Sequence, residues 1–544
     1  MAMDKNLKIH PDRAFPLEIF DLIVKEYASK CYNPYREMQS CALVCKDFAF
    51  LARPYIYNSV EFGPYGINNR NRLRLAEAFI SSPRLGSSVK RVWYTIVHSK
   101  SELRDVSPPV NEPQSLVQPL TTPNIDASSS LHEFLTGVED VRIAHLEVER
   151  HDAVCLDEEC TRLSHALLKG LASSPFSNVT SLVVQSIRLN FKVILSMPSL
   201  RDLTSECCDW WSPWDDPGYD EEELQDITYP PHLLLQCLFL EQDRGFPLKL
   251  LFHFPDLESI EFRINKGSPT RHFPSWLRKN PDVRCFQNPV VSFENLTTIE
   301  SNNAKVLSVL CRNATKKNAH AFPSLRTFIF RCDQNDTDDT AEALYDVLPH
   351  MPALQNFETT IKYRHEWLGD NVEVQPGRCL NFCRATLETF RIRFSQLHEI
   401  DFSANAFRLR NLVAGLRSIS GSNRIKDLEI EFAQVLRGEE LNRWKKSTLP
   451  VWKQLDALIA DSSMFPALKT LTLSTQVSLS FEERHSITHE KKYWQVDFWP
   501  DAFPSLHTAG YQVEHAVATY NQSRYSFIRL PNETIVGTVL EEHK

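Results

Sequence analysis

A short beat of apolar positions recurs along this chain: apolar, two residues, apolar, one residue, apolar. Phe322-Pro323-Ser324-Leu325 leads to Phe328 and Phe330, and Phe254-Pro255-Asp256-Leu257 leads to Ile260 and Phe262. Met351-Pro352-Ala353-Leu354 leads to Phe357, and Phe465-Pro466-Ala467-Leu468 to Leu471 and Leu473. Met197-Pro198-Ser199-Leu200 precedes Leu203, and Phe503-Pro504-Ser505-Leu506 is a late copy. Without the proline, the same beat joins Leu182 to Val184, Leu296 to Ile299, Leu387 to Phe390 and Ile392, and Ile425 to Leu428 and Ile430. The final apolar pair is two residues apart, so on an extended strand both side chains share a face. The proline keeps the approach to that strand extended.

One such strand cannot bury its apolar face alone, whereas stacked copies bury each other. Leu296, Leu325, Leu354 and Leu387 lie 29, 29 and 33 residues apart. From Leu387 the intervals lengthen to 38 at Ile425, 43 at Leu468 and 38 at Leu506. That leaves room for a strand, a loop and a helix in each unit. The helices are visible as stripes: Ala341, Leu344, Val347 and Leu348 behind a capping Asp339; Leu409, Leu412, Val413, Leu416 and Ile419; and Val451, Leu455, Leu458 and Ile459. The pattern resembles leucine-rich repeats of the irregular strand-plus-helix kind, with no clear asparagine-type consensus in any copy. The resemblance implies a solenoid with a curved parallel sheet and outer helices. The expected class is therefore α/β.

On such strands the residues between the inward apolars face an open surface. They include Glu261 and Arg263, Ile329 and Arg331, Arg391 and Arg393, Glu429 and Glu431, then Thr472 and Ser474. Their order reads as a basic patch followed by an acidic one. Concave sheets of solenoids are a common ligand surface, and an ordinary solvated sheet face is the alternative. The beat is interrupted by Asp209-Trp210-Trp211-Ser212-Pro213-Trp214 and the acidic run Asp220-Glu221-Glu222-Glu223. Trp210, Trp211 and Trp214 beside carboxylates suit a loop that binds a basic partner. They equally suit a loop whose indoles tuck into the core.

Ahead of the repeats, Leu17, Phe20 and Val24 are spaced as on one helical face, as are Ile19 and Ile23, with Pro16 at the helix start. Cys31-Tyr32-Asn33-Pro34 breaks the pattern. A second helix is predicted through Met38, Cys41, Val44, Cys45 and Phe48, closed by Arg53-Pro54, with a strand over Tyr55–Phe62. Two such helices carry more apolar surface than a segment this short can bury, which predicts a partner surface. Packing onto the first repeat is the alternative.

Phe15-Pro16-Leu17-Glu18-Ile19-Phe20 and Cys41-Ala42-Leu43-Val44-Cys45-Lys46-Asp47-Phe48 resemble an F-box. The continuation Arg53-Pro54-Tyr55-Ile56-Tyr57, then Ser82-Pro83-Arg84-Leu85, is similar to fungal F-box proteins with repeat tails. This resemblance implies docking of a Skp-type adaptor, and through it a cullin–RING ubiquitin ligase, by Pro16, Leu17, Ile19, Ile23, Leu43, Val44 and Phe48. Phe48 stands where the family commonly has tryptophan; it keeps an aromatic ring and lacks the indole donor. The implied organisation is an F-box-like module over 12–60, a transition over 61–98, an insertion rich in Ser, Pro and Thr over 99–130, repeats over 131–510 and a cap or tail over 511–544. The repeats would then hold a protein substrate, with Arg263, Arg331, Arg391, Arg393, Glu429, Glu431 and the three tryptophans as candidate contacts.

Composition narrows the field further. The 544 residues carry a net charge of -9 and include only 15 glycines. Acidity argues against nucleic acid or an anionic membrane as the main partner. Scarce glycine argues against a nucleotide-binding fold. Met1–His10 has no apolar core of signal-peptide length, and the 13 cysteines read as reduced thiols, so a cytoplasmic or nuclear setting is expected.

Patterns that look chemical fall short of a site. His151, Cys155, Cys160 and His165 match no closed zinc spacing, and Cys379 with Cys383 lacks a second pair. Asp333–Asp339 imitates a calcium loop for half its length. The His-Glu pairs starting at His132, His365, His398 and His489 lack the second histidine of a zinc-protease helix. No cofactor, metal or catalytic residue is expected. Two further readings remain: a repeat scaffold merely capped by its leading helices, and an enzyme whose site is assembled across loops.

Overall fold

The computed structural model describes residues 17–30, 34–62, 88–98, 140–147, 179–190, 194, 197–211, 234–241, 243, 246, 248–263, 292–316, 319–331, 338–362, 376–395, 402–434, 438–477, 502–519 and 522–529. Outside them lie Pro16, the 99–130 segment, Trp214 and the acidic run, the His151–His165 cluster, most of the calcium-like loop and the His-Glu pairs. The fold is mixed α/β with largely parallel sheet. It divides into two compact units: Met1–Pro247 with Ser268–Gln287, and Leu248–Gly267 with Asn288–Lys544.

The first unit opens with helices α1 (Leu17–Lys30), α2 (Pro34–Ala42) and α3 (Lys46–Ile56). Val24, Met38, Ala52 and Ile56 form their shared core, with Phe48, Leu51 and Tyr55 packed around it. The single helix predicted through Met38–Phe48 is in fact two. The Leu43 and Val44 N–H groups donate to the Ser40 and Cys41 carbonyls, closing α2. Cys45 then adopts extended backbone and α3 starts afresh. Arg53-Pro54 does not close that helix: Pro54 sits in its last turn, and the Tyr57 N–H beyond it still donates to the Arg53 carbonyl. The strand predicted from Tyr55 is accordingly shortened to β1 (Ser59–Phe62).

There follow β2 (Arg91–His98), β3 (Asp140–Glu147), β4 (Ser181–Gln185), β5 (Arg188–Asn190), β6 (Asp202–Glu206), β7 (Asp209–Trp211) and β8 (Cys237–Glu241). Strands β1, β2, β3, β4, β6 and β8 pair in that order, all parallel. The register stacks Leu182, Leu203 and Leu238. After β4 and β6 the chain turns aside through Ser186 and Cys207, with φ of 53° and 55°. Left-handed backbone is costly for residues other than glycine. Here it aims β5 and β7 away to pair with each other as a small second sheet.

The second unit alternates strand and helix. Its elements are β9 (Ser259–Arg263), β10 (Thr298–Ser301), α4 (Ala304–Lys316), β11 (Thr327–Arg331), α5 (Asp338–Val347), β12 (Asn356–Lys362), α6 (Pro376–Cys383), β13 (Thr389–Ser395), α7 (Phe402–Ser418), β14 (Asp427–Gln434), α8 (Gly438–Ala460) and β15 (Thr470–Val477). Strands β9 to β15 are parallel and pair in sequence order. The register stacks Ile260, Ile299, Phe328, Phe357, Phe390, Leu428 and Leu471. The rings of Phe328, Phe357 and Phe390 lie nearly parallel, 5.7 and 5.8 Å apart. Before each strand the turn repeats as well. The Leu257, Leu296, Leu325, Leu354 and Leu468 N–H groups each donate to the carbonyl three residues back. One backbone carbonyl per unit (Thr297, Arg326, Gln355, Glu388 and Lys426) accepts from two successive N–H groups of the next.

Helices cover the apolar face. Trp444 and Trp452 of α8 meet the Phe432 ring of β14 edge-on. Although the repeats lack a shared asparagine, buried Asn423 ties one of them together. Its amide donates to the Ile419 and Met464 carbonyls, and its oxygen accepts the Ile425 N–H. The late copy of the beat departs from the others. Phe503-Pro504-Ser505-Leu506 starts a short helix, α9 (Pro504–Thr508), because the buried Asp456 carboxylate accepts the Ser505 and Leu506 N–H groups. An antiparallel hairpin of β16 (Tyr511–Thr519) and β17 (Gln522–Arg529) then closes the sequence of strands, with β17 against β15.

Two substitutions test this packing. Helices α6 and α7 touch at Gly377 and Gly415, where a β-carbon added to Gly377 would lie 2.6 Å from the Gly415 Cα. Gly377→Ala is therefore expected to lower stability by about 1–3 kcal/mol in urea unfolding; an unchanged midpoint contradicts the close approach. Thr359 lies on the apolar face between Phe330 and Ile392, and its hydroxyl has no partner. Thr359→Val is expected to raise stability by about 1 kcal/mol, and a loss instead would mean the hydroxyl is satisfied.

Candidate functional site

Two surfaces stand out. The first is apolar and lies on the leading helices. Along α1, Ile19, Leu22, Ile23 and Tyr27 are all exposed, and their three- and four-residue spacing puts them on one stripe. Leu43 is 87 % exposed and Val44 69 % at the break between α2 and α3, and Phe50 is exposed on α3. Single exposed apolar residues are ordinary; a cluster of this size on one small module is not.

Leu17 and Phe48, also nominated from sequence, are half-buried. The Phe48 ring sits edge-on to Phe20 at 5.0 Å, so it braces α3 against α1. Leu22, Tyr27 and Phe50 were missed. Leu22 was readable, being three residues beyond Ile19 on the same stripe.

The second surface is the open face of β9–β15. The nominated charges do lie there, but they do not sort into a basic and an acidic patch. They interleave. Arg263 pairs with Glu261 at 2.5 Å, and Arg331 Nε donates to Glu300 at 2.6 Å. Arg391 bridges Glu358 and Glu429 at 3.1 and 2.7 Å, and Arg393 lies 3.3 Å from Glu431. Register is the cause, because it sets Glu358, Arg391 and Glu429 side by side on successive strands. Glu300 and Glu358 complete the pattern and were not among the sequence candidates. Burial pushes the Glu261 and Glu431 carboxyls up, outweighing the arginines beside them. Burial alone would pull Arg331 down, yet Glu300, Glu358 and Glu261 together hold it up.

Trp210 is moved from the candidate surface to the core. It is 4 % exposed, with the Phe246 ring edge-on at 5.0 Å. Its indole Nε1 donates to Asp243 Oδ2 at 2.9 Å, while Asp243 Oδ1 accepts the Cys208 N–H at 2.8 Å. Trp211 follows it in β7. Cys379 and Cys383 are buried with free thiols, and burial pushes Cys383 up to about 12, so neither is a poised nucleophile. Among the described residues no cluster of three or more His, Cys, Asp or Glu could hold a metal ion, and no helix is long and apolar enough to cross a membrane. No protein-family model matches this sequence, and no curated protein matches it.

Asp243 gives a titratable check on the Trp210 contact. Chiefly through burial, its carboxyl is raised from 3.8 to about 6. A raised native value means its favourable contribution is complete below the unfolded value and fades as pH climbs through about 6. The stability of Asp243→Asn minus that of the natural chain is therefore expected to be most positive near pH 7. It should fall by up to about 3 kcal/mol toward pH 4. A difference that does not change with pH would show the carboxyl to be solvated.

Proposed function

We propose that this chain is the substrate-recognition subunit of a Skp–cullin–F-box type ubiquitin ligase. In this reading α1–α3 are an F-box that docks a Skp-type adaptor, and the strand–helix units are a leucine-rich-repeat-type solenoid that holds a protein target. The observation that carries the reading is the exposed apolar set on α1–α3. Ile19, Ile23, Leu43 and Val44, nominated from the F-box-like motif, are exposed there, while the module's own core is filled by other residues. A helical cap serving only the repeats has no use for outward leucine and valine side chains. The repeating turns and in-register strands support the solenoid half.

The chain itself performs no chemistry in this scheme. Holding a target beside a charged ubiquitin-conjugating enzyme raises the local concentration of one reactant near the other. Free thiols such as Cys311, Cys379 and Cys383 suit the reducing cytoplasm or nucleus.

Co-expression of the full chain with a Skp-type adaptor tests the reading. A stable complex is expected, with Leu43→Asp or Val44→Asp weakening it by at least about 2 kcal/mol, roughly thirtyfold. Because both side chains are exposed, the melting temperature should hardly move. No complex with the natural chain at micromolar concentration overturns the proposal, as does a complex indifferent to both substitutions.

A further inference from the structure

The outer side of α7 and α8 is cationic. On α7, Phe407, Arg410, Ala414 and Arg417 are exposed, spaced three, four and three residues apart, so they share one side of the helix. On α8, Lys446, Pro450, Lys453 and Ala457 are exposed at spacings of four, three and four. Neither stripe contains a carboxylate. Helix α7 has no Asp or Glu at all. In α8, Asp456 is buried and accepts the Ser505 and Leu506 N–H groups, while Glu439 and Glu440 belong to the first turn. Among the described residues, Arg410, Arg417, Lys446 and Lys453 have no carboxylate partner; Arg410 Nε donates to the Ala406 carbonyl of its own helix. Arg378 of α6, by contrast, is paired with Glu342, so the unopposed charge begins at α7. Arg443, on the α8 stripe, is exposed and already engaged, and it is not counted here.

The two stripes lie side by side. Helices α7 and α8 pack together, and both return the chain from one parallel strand to the next, so they run the same way. Arg410 and Arg417, like Lys446 and Lys453, are seven residues apart, about 10 Å along a helix axis. Packed helices are themselves about 8–10 Å apart. Ala414 and Pro450 stand between the cations of each stripe, so no long side chain rises between them. We infer that this face docks an acidic α-helical segment of a partner protein. A helix with Glu or Asp at every third and fourth position presents carboxylates at the same period as these cations. The exposed Phe407 adds an apolar contact at one end. Net charge selects a short segment over larger anions. Charges are screened within about 10 Å, so a helix laid on the stripes senses the cations. A nucleic acid or a membrane surface reaches past them to a chain whose net charge is -9. The inference goes beyond the proposed function and does not depend on it, because α7 and α8 are not the adaptor-docking helices.

The test uses the intact chain and a fluorescein-labelled peptide of about 20 residues, long enough to be helical. It is built from Ala, Leu and Gln with Glu along one face. Two companions carry Gln in place of every Glu, or the same Glu residues spread around the helix. The one-faced Glu peptide is expected to bind about tenfold tighter than either companion at low salt, and high salt should erase the difference. Arg417→Glu and Lys453→Glu should each weaken its binding about tenfold. Arg312→Glu makes the same charge change on exposed α4 surface and should alter binding less than about twofold. All three side chains are exposed, so melting temperatures should be unchanged, which separates loss of the dock from loss of the fold. Equal binding of the Glu and Gln peptides overturns the inference, as does a Glu preference that survives both Arg417→Glu and Lys453→Glu. Equal binding of the one-faced and spread peptides overturns the helical fit. Tighter binding of single-stranded oligothymidylate or of phosphatidylserine vesicles would assign the face to another anion and overturn it too.

Discussion

The second unit depends on like side chains stacking on like from strand to strand. A five-residue strand such as β11 can bury two side chains, Phe328 and Phe330, on one face. Alone it would expose them. Parallel pairing without slippage sets Phe328 against Phe357 and Phe357 against Phe390, and each such aromatic pair contributes about 0.5–1.5 kcal/mol beyond its burial. A slip of one residue would turn every phenylalanine toward water and every arginine toward the core. The register is therefore enforced by the core and inherited by the other face.

That inheritance explains the open face. Glutamate and arginine alternate across strands because their positions are fixed by the phenylalanines behind them. Each ion pair there is partly exposed and individually weak. Collectively they hold long side chains in place and offset one another's charge. The leading helices follow the opposite rule. Their core closes on Val24, Met38, Ala52 and Ile56, and what is left over, Leu43 and Val44 above all, is apolar and uncovered.

The strands were legible in sequence because a two-residue period needs only local information. Leu296, Leu325, Leu354 and Leu387 all take equivalent buried places ahead of parallel strands. What depended on distant partners was not legible. The density of tryptophan around Trp210 gave no hint of Asp243, 33 residues on. The late Phe503-Pro504-Ser505-Leu506 copy resembled its siblings, and only the Asp456 carboxylate, 49 residues before Ser505, turns it into a helix. The break at Leu43-Val44-Cys45 has no proline or glycine to announce it, so an unbroken apolar spacing read as an unbroken helix. Charge order along the chain suggested patches, whereas charge order across the sheet depends on which strands are neighbours.

The phenylalanine stack couples neighbouring strands into one cooperative element. Phe357→Ala, at the middle of the stack, should cost about 3–5 kcal/mol. Hydrogen–deuterium exchange of that variant against the natural chain gives the direct test. Faster exchange is expected in β11, β12 and β13 together. Faster exchange confined to β12, with β11 and β13 as protected as before, would show the strands to be independent.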